Sequence, residues 1–232
     1  MNKGIADIMF ILDTSSSMDP IFNYLADNID KFVEKLKADV KAVGQWDLRV
    51  GIVAGDAGSV FILPFTKDTQ NFKNQINTIK SKRTGYNEVM PWLMDVSLVD
   101  VEWRTDARRI MIVLTDEPLE GNHADWFLRD GLKQLIERLA KFKVLLYFIS
   151  PSCPDYKTLG VIPKSYIYFI QDQSELQQIE KLDYIFTQIN QSISISFNQQ
   201  QQTALLTKFD DYIYKWTYAK DDQIDPEIFK DK

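Results

Sequence analysis

The sequence predicts a doubly wound α/β protein with a mainly parallel six-stranded sheet, one antiparallel edge strand and a C-terminal helical extension. Three observations carry this. Six short apolar runs rich in β-branched and aromatic residues recur along the 232 residues; most are separated by longer stretches of helical periodicity; and 45% of the residues are hydrophobic, enough to fill a core on both faces of a sheet.

Ile5 to Leu12 is the first strand, an apolar run interrupted by Asp7 and ended by Asp13. After Pro20, the residues Ile21, Leu25, Ile29, Phe32 and Leu36 recur at spacings of three and four, which predicts an amphipathic helix. Leu48–Ala54 and Val60–Phe65 read as two strands. Gly55-Asp56-Ala57-Gly58 between them is short enough for an antiparallel hairpin. Phe72, Ile76 and Ile79 predict a short helix, and a second runs from about Glu88 to Leu98 with Pro91 in its first turn, where a missing amide hydrogen costs least. Ile110–Leu114 is the fourth strand. Leu128, Leu132, Leu135, Leu139 and Phe142 form the next helical stripe, followed by the strand Val144–Ile149, a proline-containing loop, the strand Tyr166–Ile170 and a last crossover helix from Leu176 to about Ile189.

Beyond the polar run Asn198 to Gln202, Leu206, Phe209, Ile213 and Trp216 return to helical spacing. Residues 1–196 therefore read as one domain, and 197–232 as a helical extension with a charged, frayed tail after Lys220. The extension's stripe needs a surface to fold against, either the domain or a partner. Asp210-Asp211 is read as its solvated face.

Charge and composition exclude several classes of function. With 27 basic and 33 acidic residues, a net charge of −6, the chain lacks the basic excess that grips phosphate backbones, so no nucleic-acid partner is expected. Met1-Asn2-Lys3-Gly4 leads into a short, acid-broken apolar segment that is neither a signal peptide nor an anchor, so the expectation is a cytoplasmic protein without membrane attachment. Cys153 is the only cysteine; it cannot form an internal disulfide and reads as a bystander beside a buried strand rather than a reactive thiol. His123 is the only histidine, has no nucleophile and carboxylate pattern around it, and reads as a loop residue; no Gly-x-Ser-x-Gly elbow is present.

Two strand ends carry the oxygen-rich segments. The first strand runs into Asp13-Thr14-Ser15-Ser16-Ser17-Met18 and the fourth into Thr115-Asp116-Glu117-Pro118. In an open parallel sheet, ligands bind where such carboxyl ends meet their loops. Serines in this position often just cap the following helix. Two hydroxyls at alternate positions beside carboxylates are also a donor set for a hard divalent cation, magnesium or manganese.

This arrangement resembles the von Willebrand factor A (vWA) family, whose metal-ion-dependent adhesion site begins Asp-x-Ser-x-Ser after the first strand; Asp13, Ser15 and Ser17 match it, and Asp116 matches the aspartate that ends the fourth strand. The resemblance extends through the order of elements to about residue 190, and implies a Rossmann-like sheet. It implies that the serines contact the metal directly, that the aspartates act mainly through water, and that a threonine before the third helix adds an oxygen. Here the sequence departs from the pattern: the threonine position falls on Asn87, whose carbonyl oxygen is a competent hard ligand, while Thr84 lies three residues earlier as the alternative.

In adhesive members of the family a carboxylate from the partner completes the metal's shell. The resemblance thus implies a protein–protein interaction module, an assembly or adaptor component rather than an enzyme. Trp92 and Trp126, near the loops, read either as partner anchors or as residues packing where helices begin. Two alternatives stand beside this reading. Asp13 and Thr115 also resemble the first two motifs of haloacid-dehalogenase-like phosphatases, but Ser15 stands where those enzymes place a second, acidic aspartate. The third reading is a structural domain with a vestigial metal site.

Overall fold

A computed structural model describes residues 4–39, 46–56, 59–82, 90–119, 131–162 and 165–197. Six strands, β1 (Gly4–Asp13), β2 (Trp46–Asp56), β3 (Ser59–Thr66), β4 (Arg108–Leu114), β5 (Leu145–Pro151) and β6 (Ser165–Ile170), form one sheet in the order β3-β2-β1-β4-β5-β6. All neighbours are parallel except the edge pair β2–β3. The doubly wound, mainly parallel sheet with one antiparallel edge strand is therefore the architecture the sequence predicts.

The pleat divides the core. Along β1, Ala6, Ile8, Phe10 and Leu12 point to one face and Met9 and Ile11 to the other, and all six are fully buried. The first face packs against α1 (Asp19–Asp39), α2 (Thr69–Lys82) and α6 (Ile179–Phe197), with Phe10 meeting Phe32, Phe72 and Phe186 at centroid distances of 6.1, 5.4 and 6.4 Å. The second face is covered by α3 (Met90–Val99), α4 (Gly131–Lys141) and the short α5 (Pro154–Thr158). Burial on both faces is why the strands read as near-continuous apolar runs.

Strand ends shift by one or two residues from the sequence reading, and the last helix and the loop after β5 differ more. The last crossover helix begins at Ile179, after a 3-10 turn over Gln173–Gln177 that holds Leu176, and continues to Phe197 rather than ending at Ile189. Asn190-Gln191-Ser192-Ile193-Ser194 looks like a polar break, yet Ile189 and Ile193 lie one turn apart and both are buried. Ser192 is buried too because its hydroxyl bonds the buried Tyr147 hydroxyl at 2.7 Å, while Arg108 donates to the Ser196 carbonyl in the last turn, a favourable place for a cation. The proline-containing loop after β5 also holds a helix: Pro154 occupies its first turn, and Tyr156 packs on Phe148 at 4.7 Å. The third helix is described from Met90; its predicted start at Glu88, the turn residues Ala57 and Gly58, Leu128 and the whole 198–232 extension lie outside the described residues.

At the amino end of the sheet a charged network replaces apolar contacts. Asp7, fully buried, accepts from Arg49 Nε and Nη2 at 2.9 and 2.7 Å, and from the Arg104 backbone and Nε at 2.9 Å each. Burial pushes the Asp7 carboxyl up, but the bonds from Arg49 and Arg104 outweigh this and hold it below the usual aspartate range. Arg104 reaches on to Asp47 at 2.9 Å, and Asp47 to Lys67 at 2.8 Å.

Candidate metal centre

The direction of the chain connections reverses between β1 and β4: β1 leads to β2 on one side, whereas β4 leads to β5 on the other. In an open α/β sheet such a reversal marks the usual ligand position. The pairing of Leu12 with Leu114 ends both strands at the same level, so Asp13 and Thr115-Asp116 leave the sheet side by side.

Ser15 decides between a helix cap and a site. It stands at the N-cap of the 3-10 turn Ser16–Met18 with extended backbone, yet its side chain makes no capping bond. Instead, its hydroxyl lies 2.8 Å from Ser17 Oγ and donates to Asp116 Oδ1 at 3.4 Å, across 101 residues of sequence. Asp13 is fixed from two sides: Oδ1 accepts the Ser15 backbone N–H at 2.6 Å and Oδ2 accepts the Thr115 hydroxyl at 3.0 Å. Asp13 and Thr115 are completely buried, Asp116 is 1% exposed and Ser15 7%, whereas Ser16, between the two inward serines, is exposed.

The electrostatics suit a cation. Burial pushes the Asp116 carboxyl above its ordinary value; hydrogen bonds from Ser17, Ser15 and its own backbone pull it part of the way back, and neighbouring Glu117 adds to the rise. Two buried carboxylates and two hydroxyls gathered at one point form a hard-oxygen donor set. Among the described residues no group of three His, Cys, Asp or Glu side chains converges to hold a metal, so this set is one of mixed carboxylate and hydroxyl donors.

The structure thus brings together Asp13, Ser15, Ser17 and Asp116. Asn87 and Thr84, the alternatives for the third loop, lie outside the described residues, as do His123 and Trp126. Trp92 is half-buried and packs against the second-face core within α3. Cys153 is half-buried against the same core and precedes α5. The residue that sequence reasoning missed in this role is Thr115: it reads there as part of the oxygen-rich end of the fourth strand and through a phosphatase likeness, and here it orients Asp13. Its signal is its place directly after β4, but the bond to Asp13 spans 102 residues.

A model of the von Willebrand factor type A domain matches residues 7–182. No curated protein matches the chain. Among solved structures, proximal thread matrix protein 1 from the mussel byssus, with a zinc-occupied MIDAS motif, is 15% identical with a TM-score of 0.57 over 82% of this chain and 46% of that chain. A second crystal form of the mussel protein is 14% identical with a TM-score of 0.54, covering 80% and 46%. The SpRpn10 VWA domain is 13% identical with a TM-score of 0.53, covering 74% of this chain and 93% of that one. The likeness at these identities is one of fold, and this chain spans just under half the length of the mussel protein. With the match over residues 7–182, the chain belongs to the von Willebrand factor type A domain family.

Proposed function

We propose that this chain is a divalent-cation-dependent protein-binding module that grips an acidic group of its partner, with Asp13, Ser15, Ser17 and Asp116 as the metal site and magnesium or manganese as the ion. The observation that carries this reading is the Ser15 hydroxyl, turned away from a capping role and toward Ser17 and Asp116. A hard cation held by these residues would supply a Lewis-acidic point able to attract a carboxylate oxygen. The chain's own residues do the rest. Thr115 and the Ser15 backbone hold Asp13, and Ser15 and Ser17 offer neutral oxygens, so the site adds no negative charge beyond that of its two carboxylates. The mussel protein's zinc-occupied MIDAS motif supports divalent-metal use in this fold.

The proposed role is assembly in a cytoplasmic setting rather than catalysis. Ser15 occupies the position where a haloacid-dehalogenase-like phosphatase needs a carboxylic acid, and proton transfer needs a donor within reach of the reacting atom. Among the described residues no helix is long and apolar enough to cross a membrane. Affinity capture of partners with magnesium against a chelator tests the reading: partners retained only with the ion, and released by a soluble carboxylate, are expected. Partners retained equally in chelator, or magnesium-dependent hydrolysis of a phosphate monoester abolished by Asp13→Asn, would overturn it.

A further inference from the structure

Helix α3 is apolar on every side: its one charged residue, Asp95, is paired with Arg138 of α4 at 2.7 Å. A helix of that composition is ordinarily buried all round. Here Val99 is 63% exposed, and Val96, one turn before it on the same outward side, is half-buried. Beside α3, the pleat of β3 turns Val60 and Ile62 to this same face; Val60 packs against the second-face core, and Ile62 is 41% exposed. Phe65 of β3 and Trp103 join the two elements, with rings 5.0 Å apart and Trp103 Nε1 donating to the Ser97 carbonyl in the last turn of α3 at 2.7 Å. The end of α3 and the edge strand therefore flank one apolar patch, which the half-buried Val101 extends. An exposed aliphatic standing singly needs no explanation, but a contiguous group with a polar rim marks an interaction surface.

The rim is acidic. Asp100, Glu102 and Asp106 are all exposed, and none of them forms an ion pair among the described residues. The cations of this end of the sheet are held elsewhere, Arg49 and Arg104 at Asp7, and Arg104 and Lys67 at Asp47. We propose that this patch docks a basic amphipathic helix of a partner protein, whose aliphatic side chains cover Val99, Val96 and Ile62 and whose Lys or Arg residues meet Asp100, Glu102 and Asp106. Charge selects this occupant. A second copy of this chain, with a net charge of −6, would bring the same acidic rim to a two-fold contact, and like charges set against each other are costly. A basic helix supplies both the apolar stripe and the opposite charge. The surface is separate from the metal centre: it lies where α3 ends and β4 begins, at the amino end of the sheet, whereas Asp13 and Asp116 follow the carboxyl ends of β1 and β4.

A titration of the isotope-labelled full-length chain with a short amphipathic helical peptide of leucine and lysine tests this. Amide shifts should move in residues 60–66 and 96–106, saturate, and weaken as salt rises. Val99→Asn with Ile62→Thr, both at exposed positions, should weaken binding by about tenfold while leaving the thermal midpoint in place. Asp100→Asn, Glu102→Gln and Asp106→Asn together should weaken it and remove its salt dependence. The same peptide with glutamate for lysine should move nothing, and Asp13→Ala should bind the lysine peptide as the wild type does. No shifts in these residues, equal shifts with the glutamate peptide, or loss of binding in Asp13→Ala would overturn the proposal. So would binding that survives Val99→Asn with Ile62→Thr, because general attraction of a cationic peptide to an acidic protein would then account for it.

Discussion

A serine at the start of a helical turn has a ready use as a cap, and Ser15 forgoes it. The motif Asp13-x-Ser15-x-Ser17 was readable because it is local and lies at a strand end, whereas the residue that steadies it, Thr115, is local to nothing but β4. Thr115→Val keeps the volume but leaves a buried carboxylate oxygen short of a donor, which should cost about 1–3 kcal/mol and weaken any cation response. Urea unfolding with and without magnesium measures both effects. Asp7 is the opposite case. In the sequence it only interrupts an apolar strand; its partner Arg104 lies 97 residues away, so the network has no local signature. Asp7→Ala leaves two arginines without their shared acceptor, although both are about one-fifth exposed and Arg104 keeps Asp47, so the loss should be about 3 kcal/mol, the lower end for a broken buried pair. Because the folded carboxyl lies below its unfolded value of about 3.9, its contribution is present above that value and lost as pH falls through the folded one. The difference in urea midpoint between wild type and Asp7→Asn should therefore be constant near neutrality and shrink below about pH 4.

Among the elements, periodicity identified strands and helices where one face is apolar and failed where burial is polar, as in the last two turns of α6. The hairpin depends on Gly55, which pairs with Asp13 across the sheet. A Cβ there would sit 2.5 Å from the Ser59 carbonyl oxygen and 3.1 Å from Leu93 Cδ2, so Gly55→Ala should cost about 1–3 kcal/mol and disturb the neighbouring end of β1. Gly160→Ala, whose Cβ would meet only Ile167 Cδ1 at 3.6 Å, is the matched control and should leave the melting temperature nearly unchanged. Helix α4 ends in a Schellman turn, Val144 N–H to Leu139 O and Lys143 N–H to Ala140 O, both 3.0 Å, which puts Lys143 at a φ of 54°. A lysine pays a steric penalty in that conformation, so Lys143→Gly should stabilise the fold by about 1 kcal/mol in the same unfolding assay.

For the molecule as a whole, the two ends of one sheet do different work. The amino end is closed by the Asp7 network, and the carboxyl end gathers Asp13, Ser15, Ser17 and Asp116 where β1 and β4 end. The doubly wound, mainly parallel class of the sheet followed from the alternation of runs, whereas the strand order and its reversal beside β1 depend on pairings between distant segments and are seen only in the structure. The third-loop donor, Asn87 or Thr84, was left open because it depends on how one loop folds, which no residue pattern fixes. Metal binding at the four assembled residues is the claim on which the functional reading stands, and thermal unfolding of the full chain in magnesium or manganese tests it most directly. An ion that binds only the folded state stabilises it by about 2.7 kcal/mol at one hundred times its dissociation constant, which raises the midpoint by several degrees. We predict that rise for the wild type and for Ser16→Ala, with its exposed hydroxyl, and its loss in Asp13→Ala and Ser15→Ala; a wild type that responds to neither ion, or variants that respond as fully as the wild type, would contradict it.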